Sequence, residues 1–325
     1  VSRNAPTLPL YNPAGGFLNA SGINSGINQR ENRATTQWVL SPSVQLEPVR
    51  NWVTTLQYNY TYTNYTQTDI ANSFYQYAPD STKTFGLTQS QTRYGARATT
   101  PPYTSPNITS TYHRQIGGHY IGGLVGFQEE LQTIFGLNSS TTYLLTDNVP
   151  SLSTGVGVKT PDDDKAHWAT QSFFGRLNYN YKEKYLFEAN ARRDGSSRFA
   201  PDSRWGTFPS VSVGYNLAKE NFFPFKSQIS MLKFRGSWGS LGNQNVANYL
   251  YIPLMTNGQG NYLLAGDKSF LVTPPNETTT GLTWEKVNTK DIGLDMYMFD
   301  NKLSITADWY QSDINNLVGP GMAIP

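Results

Sequence analysis

The sequence predicts an all-β chain of antiparallel hairpins, and three observations carry that expectation. Five times over, two segments of about ten residues alternate apolar and polar side chains, the period of a half-buried strand. The two segments of each pair are joined by few residues, whereas most pairs are set apart by long polar stretches. One face of each segment is aliphatic and aromatic, and the other holds charges and amides. In a compact soluble domain, structureless links of roughly forty residues count against a strand assignment. In a transmembrane β-barrel, short turns at one end, long loops at the other and strands of about 9–11 residues between lipid and a polar lumen are normal. A closed barrel is also the sheet that satisfies its backbone in hydrocarbon. The expectation is therefore an antiparallel transmembrane β-barrel segment of about ten strands with long extracellular loops.

The first pair sets Trp38, Leu40, Val44 and Leu46 against Trp52, Leu56, Tyr58, Tyr60 and Tyr62, with Glu47 to Asn51 as the turn. A weaker pair runs from Asn107 to Glu129 around Ile116 to Gly118. In the third, Phe173, Leu177, Tyr179 and Tyr181 lead through Lys182-Glu183-Lys184 to Tyr185, Phe187, Ala189 and Ala191, with Arg176, Asn178, Asn180, Glu188, Asn190 and Arg192 on the other face. The fourth sets Val211, Val213, Tyr215 and Leu217 against Leu232, Phe234, Gly236 and Trp238 after a longer link. The fifth is the cleanest: with Asp300-Asn301 as a two-residue turn, Met298 faces Leu303, Met296 faces Ile305, Leu294 faces Ala307 and Ile292 faces Trp309. The expected long connections are 64–106, 131–170 and 239–283, with a shorter one at 194–207.

Composition agrees. The 325 residues carry a net charge of +2, which gives no electrostatic footprint for nucleic acid. No stretch approaches the roughly eighteen continuous apolar residues of a membrane helix, but barrel strands dilute their apolar face with polar residues and give a weak hydropathy signal. Tyrosine, with 21 copies, nearly matches the 25 lysines and arginines, a usage suited to interfacial girdles, and Trp52, Trp205, Trp238, Trp284 and Trp309 fall near expected strand ends. The absence of cysteine removes disulfides, thiolate metal sites and cysteine nucleophiles. Val1–Pro6 reads as the middle of a longer chain, and Gly319–Pro325 follows closely on an expected strand, so the sequence is read as part of a larger barrel.

Motifs that might carry chemistry have plainer readings. In Asp194 to Trp205, Arg192, Arg193, Arg198 and Arg204 are expected to pair with Asp194 and Asp202 in an ordered loop. Asp291, Asp295 and Asp308 satisfy the residue types of a glycosidase acid and base, but a barrel's polar face carries carboxylates anyway. Asp162-Asp163-Asp164 lacks calcium-loop spacing. His113, His119 and His167 lack zinc-ligand spacing, and no nucleophile elbow or phosphate loop occurs. No cofactor, metal site or enzymatic activity is expected. In 243–283, Tyr249, Tyr251, Tyr262 and Phe270 lie beside Asn257, Gln259 and Asn261, and aromatic platforms flanked by amides suit a sugar or peptide. Tyr249, Tyr251, Asn257 and Tyr262 are the candidate substrate residues, against the alternative that these aromatics pack the loop.

Phe173 to Phe223 (FFGRLNYNYKEKYLFEANARRDGSSRFAPDSRWGTFPSVSVGYNLAKENFF), Leu232 to Asn245 (LKFRGSWGSLGNQN) and Leu282 to Val318 resemble, in order, the SusC/RagA family of TonB-dependent outer-membrane transporters of Bacteroidota. Before residue 131 the likeness is carried only by LEPVRNW (Leu46 to Trp52) and GLVGFQEE (Gly123 to Glu130). The resemblance implies a nominally twenty-two-stranded barrel of which residues 1–325 form a part, without the N-terminal plug, the TonB box and the closing strands. It further implies uptake of oligosaccharides or peptides, a SusD-like surface lipoprotein and the TonB complex as partners, and the bacterial outer membrane as location. Two alternatives stay open: a passive outer-membrane porin or adhesin barrel, and a soluble carbohydrate-binding β protein.

Overall fold

Alternation decides the structure. A computed structural model of the chain describes residues 29–71, 75–77, 83–85, 93–146, 148–255, 257–264, 266–275 and 281–317; the two termini singled out above lie outside them. The strands in chain order are β1 (Gln29–Leu40), β2 (Ser43–Val49), β3 (Trp52–Ala71), β4 (Tyr75–Tyr77), β5 (Lys83–Phe85), β6 (Arg93–Thr99), β7 (Tyr103–Ile116), β8 (His119–Thr142), β9 (Thr160–Tyr181), β10 (Tyr185–Ser196), β11 (Trp205–Asn216), β12 (Ile229–Asn243), β13 (Asn257–Leu264), β14 (Asp267–Val272), β15 (Glu285–Met298) and β16 (Leu303–Asn315). Among the described residues the only helical elements are 3-10 turns at Pro201–Ser203 and Leu217–Lys219. The chain divides into two compact units, one of Val1–Val39, Tyr60–Tyr103 and Gln132–Ala166 and a larger one of Leu40–Asn59, Thr104–Leu131 and His167–Pro325.

The larger unit contains the expected ribbon: β2, β3, β7, β8, β9, β10, β11, β12, β15 and β16 follow one another as antiparallel neighbours. The predicted register of the last hairpin is met pair for pair, with Met298↔Leu303, Met296↔Ile305, Leu294↔Ala307 and Ile292↔Trp309. Its turn has four residues, Phe299 to Lys302, because Phe299, Asp300 and Asn301 all take left-handed φ of 52–64°. The first turn is tighter than expected. Val49 pairs with Trp52, so the reversal is Arg50-Asn51, with Asn51 at φ 68° and its N–H donating to the Glu47 carboxylate at 2.9 Å. Lys182 and Glu183 also sit at positive φ, and Glu183 N–H donates to the Asn180 side chain at 2.8 Å.

The ladders sort side chains onto two faces. One row reads Tyr181, Tyr185, Tyr215, Phe234, Leu294, Ala307, and the next Tyr179, Phe187, Val213, Gly236, Ile292, Trp309. Tyr185 stacks on Tyr215 at 5.2 Å and on Tyr181 at 6.3 Å, which makes an aromatic line just above the turns. On β10 this face runs Tyr185, Phe187, Ala189, Ala191 and then Arg193, whose guanidinium lies 5.4 Å from the Trp205 ring. Phe173 touches Trp205 at 6.3 Å and Phe127 at 5.0 Å, which forms a second aromatic line. Eight residues of strand separate Tyr185 from Arg193, about 26 Å at roughly 3.3 Å per residue, or about 20 Å of height at a tilt of roughly 40°, which fits within the roughly 25 Å apolar band of an outer-membrane barrel.

Among the described residues buried apolar side chains are few: Ala218 and Phe223 at the turn end, and a cluster at the loop end. Phe199, Phe208 and Trp284 form a cluster with Val246 and Leu282 packed on it. Trp284, expected in a girdle, is only 4% exposed and is a core residue, while Trp238 and Trp309 sit inside β12 and β16 rather than at their ends.

The smaller unit holds β1, the far part of β3, β6, the far part of β8 and the start of β9, with β6 paired to β3 (Tyr65↔Thr99 through Ala71↔Arg93) and to β8. It corrects the expected loops. Much of 64–106 and 131–170 is strand, and β3, β8 and β9 reach 20, 24 and 22 residues. In β3 and β9 these extensions are largely polar on both faces and so lack the alternation that betrays a strand, whereas β8 carries Leu131, Phe135 and Leu137 exposed on one face before it turns polar at 138–142. The connection expected at 239–283 likewise holds the β13–β14 hairpin. Asp163 and Asp164 pair with Lys165 (2.8 Å) and Arg97 (3.7 Å).

Candidate functional site: the polar face and its loop lock

The other face of the ribbon is built from the residues between the apolar ones. Arg176 Nε donates to the Asn190 side-chain Oδ1 at 2.7 Å, and Asn190 Nδ2 donates to Glu188 (2.8 Å) and Ser210 (3.3 Å), so a charged chain crosses β9, β10 and β11. Arg192 grips Asp194 through Nε at 2.7 and 2.9 Å and Ser172 through Nη2 at 2.9 Å. Thr170 donates to Glu130 at 2.8 Å. These groups line an open cavity of about 860 Å³ that continues to Gln244 and Trp284.

Further along, Arg235 sits opposite Gly293 in the β12–β15 register. Its Nε reaches Asp295 at 3.2 Å, Nη1 reaches Asp291 at 3.3 Å, and Nη2 pairs with Asp308; Lys233 lies 3.7 Å from Asp295. Gly293 makes this possible, since a Cβ there would stand 2.5 Å from the Arg235 Cζ. Asp291, Asp295 and Asp308, the residue types of an acid and base pair, are thus all committed to one guanidinium, which fastens β12, β15 and β16 on this face. Among the described residues no group of three or more His, Asp or Glu is placed to hold a metal ion.

Above the cavity, the 194–207 loop is locked by aromatic packing more than by charge. Phe199 is fully buried, and the Phe208 ring occupies the space that a side chain at Gly206 or Gly242 would need. Trp284 Nε1 donates to the Arg204 carbonyl at 2.8 Å, and Thr283 donates to the Ser203 carbonyl at 3.0 Å. The Arg198 guanidinium stands over Trp168 and gives Nη1 to the carbonyls of Gln244 and Val246, both at 3.1 Å; burial pushes its pKa down. Of the expected ion pairs, the structure contains Arg192–Asp194. Arg193 is stacked on Trp205, Arg204 acts through its backbone, and Asp202 is exposed with no ion pair among the described residues. Sequence reasoning passed over Phe199, Phe208 and Trp284 as the organising residues, although all three stand in or beside the motifs it singled out.

The candidate substrate residues are not brought together. Tyr249 is fastened to His167: its hydroxyl accepts the His167 N–H at 2.9 Å, lies 2.9 Å from Nδ1 and donates to the His167 carbonyl at 3.2 Å. That is the contact of a loop-packing residue. Tyr251 is half-buried two residues on, Asn257 is exposed opposite Val272 at the start of β13, and the side chains of Tyr262, Gln259 and Asn261 lie outside the described residues.

At the turn end, Lys184 Nζ (2.7 Å) and Tyr185 OH (2.9 Å) both donate to Glu220, and these bonds hold its carboxyl below the usual range. Lys219 does the same to Glu183.

Residues 2–323 match the family model described as "TonB dependent receptor-like, beta-barrel". The chain belongs to this family. It is 31% identical over 213 residues to TonB-dependent receptor P3 of Formosa agariphila, which covers 65% of this chain and 21% of that one. It is 38% identical over 149 residues to TonB-dependent receptor SusC of Bacteroides thetaiotaomicron, covering 45% and 15%. In fold it is similar to a chain of the RagAB peptide transporter, with a TM-score of 0.78 at 22% identity over 91% of this chain and 32% of that one. The chain thus spans between a seventh and a third of the proteins it resembles, and the TonB-dependent receptor barrel accounts for nearly all of it. The two-faced ribbon, its short turns and its overlong strands are those of that barrel.

Proposed function

We propose that the chain is part of the barrel of a SusC-like importer in a bacterial outer membrane, carrying oligosaccharides or peptides in a TonB-dependent manner. The observation that carries this reading is the sorting of the ladders: an exposed apolar face between two aromatic lines across β9, β10 and β11, backed by a face of ion pairs and amides, in a chain of this family. The apolar face meets lipid, with Val213 55% exposed and Phe187 37% exposed. The polar face, from Arg176 to the Arg235 cluster, lines the passage. Charges already paired to one another offer hydrogen bonds to a passing polar oligomer without a net field that would trap it. The reading assigns no covalent chemistry to these residues. The partners are a SusD-like surface lipoprotein at the loop end and the TonB complex, acting through a plug domain of the full-length protein. In the full-length protein, the 860 Å³ cavity beneath the locked loop forms part of the wall at the entrance.

The test is uptake in the native host. Deleting the full-length gene is expected to abolish accumulation of a labelled oligosaccharide or peptide too large for porins, and removing TonB to abolish it equally. Uptake that persists without TonB would replace the importer with a passive pore. Recovery of the protein in the soluble fraction without detergent would end the membrane reading altogether.

A further inference from the structure

One feature of the apolar face is not explained by general contact with lipid. Between β2, β3, β7 and β8 that face opens into a crevice of about 470 Å³ walled by Pro42, Val44, Leu56, Tyr58, Pro106, Ile108 and Phe127. Its walls are mostly apolar, with Gln57 and Asn107 also at its lining, and it occurs where strand structure is interrupted between β1 and β2 at Ser41-Pro42, the ladder being kept by Tyr58 N–H donating to the Pro42 carbonyl at 3.1 Å. From the crevice a single row continues across the strands. Val44 pairs with Leu56, Leu56 meets Ile108 and Phe127 in the crevice wall, Phe127 packs on Phe173 at 5.0 Å, and Phe173 pairs with Arg193.

Arg193 ends this row as an exposed cation. Its neighbour Asp194 points to the opposite face and is taken by Arg192, and among the described residues Arg193 has no carboxylate partner; its contact is the Trp205 ring. The outward carboxylate one row higher on β8, Glu129, accepts a hydrogen bond from Gln171 at 2.8 Å. The row is also oblique to the membrane. Arg193 follows the end of its turn, Lys184, by nine residues, and Phe127 follows Gly118 by nine, but Leu56 follows Asn51 by only five. Barrel geometry adds a descent of its own: five strand spacings of about 4.8 Å at a tilt of roughly 40° change depth by about 15 Å, half of a roughly 30 Å hydrocarbon core. The row therefore descends from a cation at the aromatic girdle to an apolar crevice one leaflet deep.

We infer that this row is a lipid site, holding the phosphate of one anionic membrane lipid at Arg193 and one of its acyl chains along Phe173 and Phe127 into the crevice at Leu56 and Val44. The inference rests on the barrel reading above and deepens it. A neutral zwitterionic lipid fills the crevice equally but gains less from the cation, so the site is selective for net negative headgroups.

The test uses the full-length protein in nanodiscs made from equal parts of phosphatidylglycerol and phosphatidylcholine, with the lipids kept after detergent extraction counted by native mass spectrometry. One phosphatidylglycerol is expected to be kept in about five-fold preference, the worth of one cation at a membrane surface. Arg193→Gln should equalise the two lipids, Arg193→Lys should restore the preference, and Ile108→Trp, which fills the crevice, should lower retention of both. Equal retention by the unaltered protein, or a preference that survives Arg193→Gln, would overturn the inference. Heat-modifiable electrophoretic mobility confirms that each variant remains a folded barrel. If the unaltered protein does not enter nanodiscs at all, the barrel reading fails rather than the lipid site.

Discussion

Two apolar regions of the same ribbon behave in opposite ways. At the loop end Phe199, Phe208 and Trp284 are 0%, 6% and 4% exposed, close-packed against one another and sealed by backbone hydrogen bonds. A few residues lower, Val213, Phe234 and Ile292 are 55%, 48% and 64% exposed. The residue types are alike and their surroundings are not. In water, a face as apolar as the second would be a large uncovered patch of the kind soluble monomers avoid; in hydrocarbon it needs no cover. The loop end stands in water and must build its own core. This contrast locates the boundary between the two solvents within the length of β10 and β11.

The largest effect should come from the region that owns a core. Trp284→Ala removes a buried ring and its bond to the Arg204 carbonyl, and should cost about 3–5 kcal/mol of loop stability. Limited proteolysis is the check: rapid cleavage within 197–204, with the ribbon intact, is the expected outcome. Next comes the uncovered face. Leu294→Lys should cost on the order of 2–4 kcal/mol if the site lies near the bilayer centre, measured by denaturant unfolding in lipid vesicles, whereas Ser212→Lys on the opposite face should cost much less. Equal costs would erase the contrast.

These tests also show what could be read in advance. The β15–β16 register was legible because the alternation and the turn are local, so the pairing of Met298 with Leu303 sets every later pair. The Arg235 cluster was not. Arg235, Asp291 and Asp295 were each readable as polar-face residues, but the β12–β15 register crosses a long connection, and no local rule places Gly293 under the guanidinium. Trp284 misled for a related reason: a tryptophan at a strand end looks the same whether it meets headgroups or closes a loop core. The long ends of β3 and β9 escaped because, once clear of lipid, a strand has no need of an apolar face.

A smaller effect is expected on the polar face. Arg235→Gln leaves Asp291, Asp295 and Asp308 facing one another, and should lower the unfolding midpoint by less than the core variant does, since water reaches the cluster. Adding Asp308→Asn should recover part of the loss; no recovery in the double variant would show that the four groups are not coupled. The smallest effect is at the turns. The Glu220 carboxyl is held below its ordinary value of 4.5 by Lys184 and Tyr185. Its contribution is therefore complete above about pH 4.5 and is lost as acid carries the folded protein through the depressed value. Unfolding midpoints should fall from pH 7 to pH 3, and less steeply in Glu220→Gln.

The most direct measurement exploits a chain without native cysteine. Single cysteines at Val213 and at its neighbour Ser212 can carry a nitroxide in the full-length protein reconstituted into bilayers, and collision with oxygen, which concentrates in lipid, can be compared with collision with a water-soluble nickel chelate. The expected result is oxygen-dominated relaxation at position 213 and nickel-dominated relaxation at position 212. Nickel access at both positions, or the reverse order, would contradict the assignment of the apolar face to lipid and the polar face to a water-filled passage.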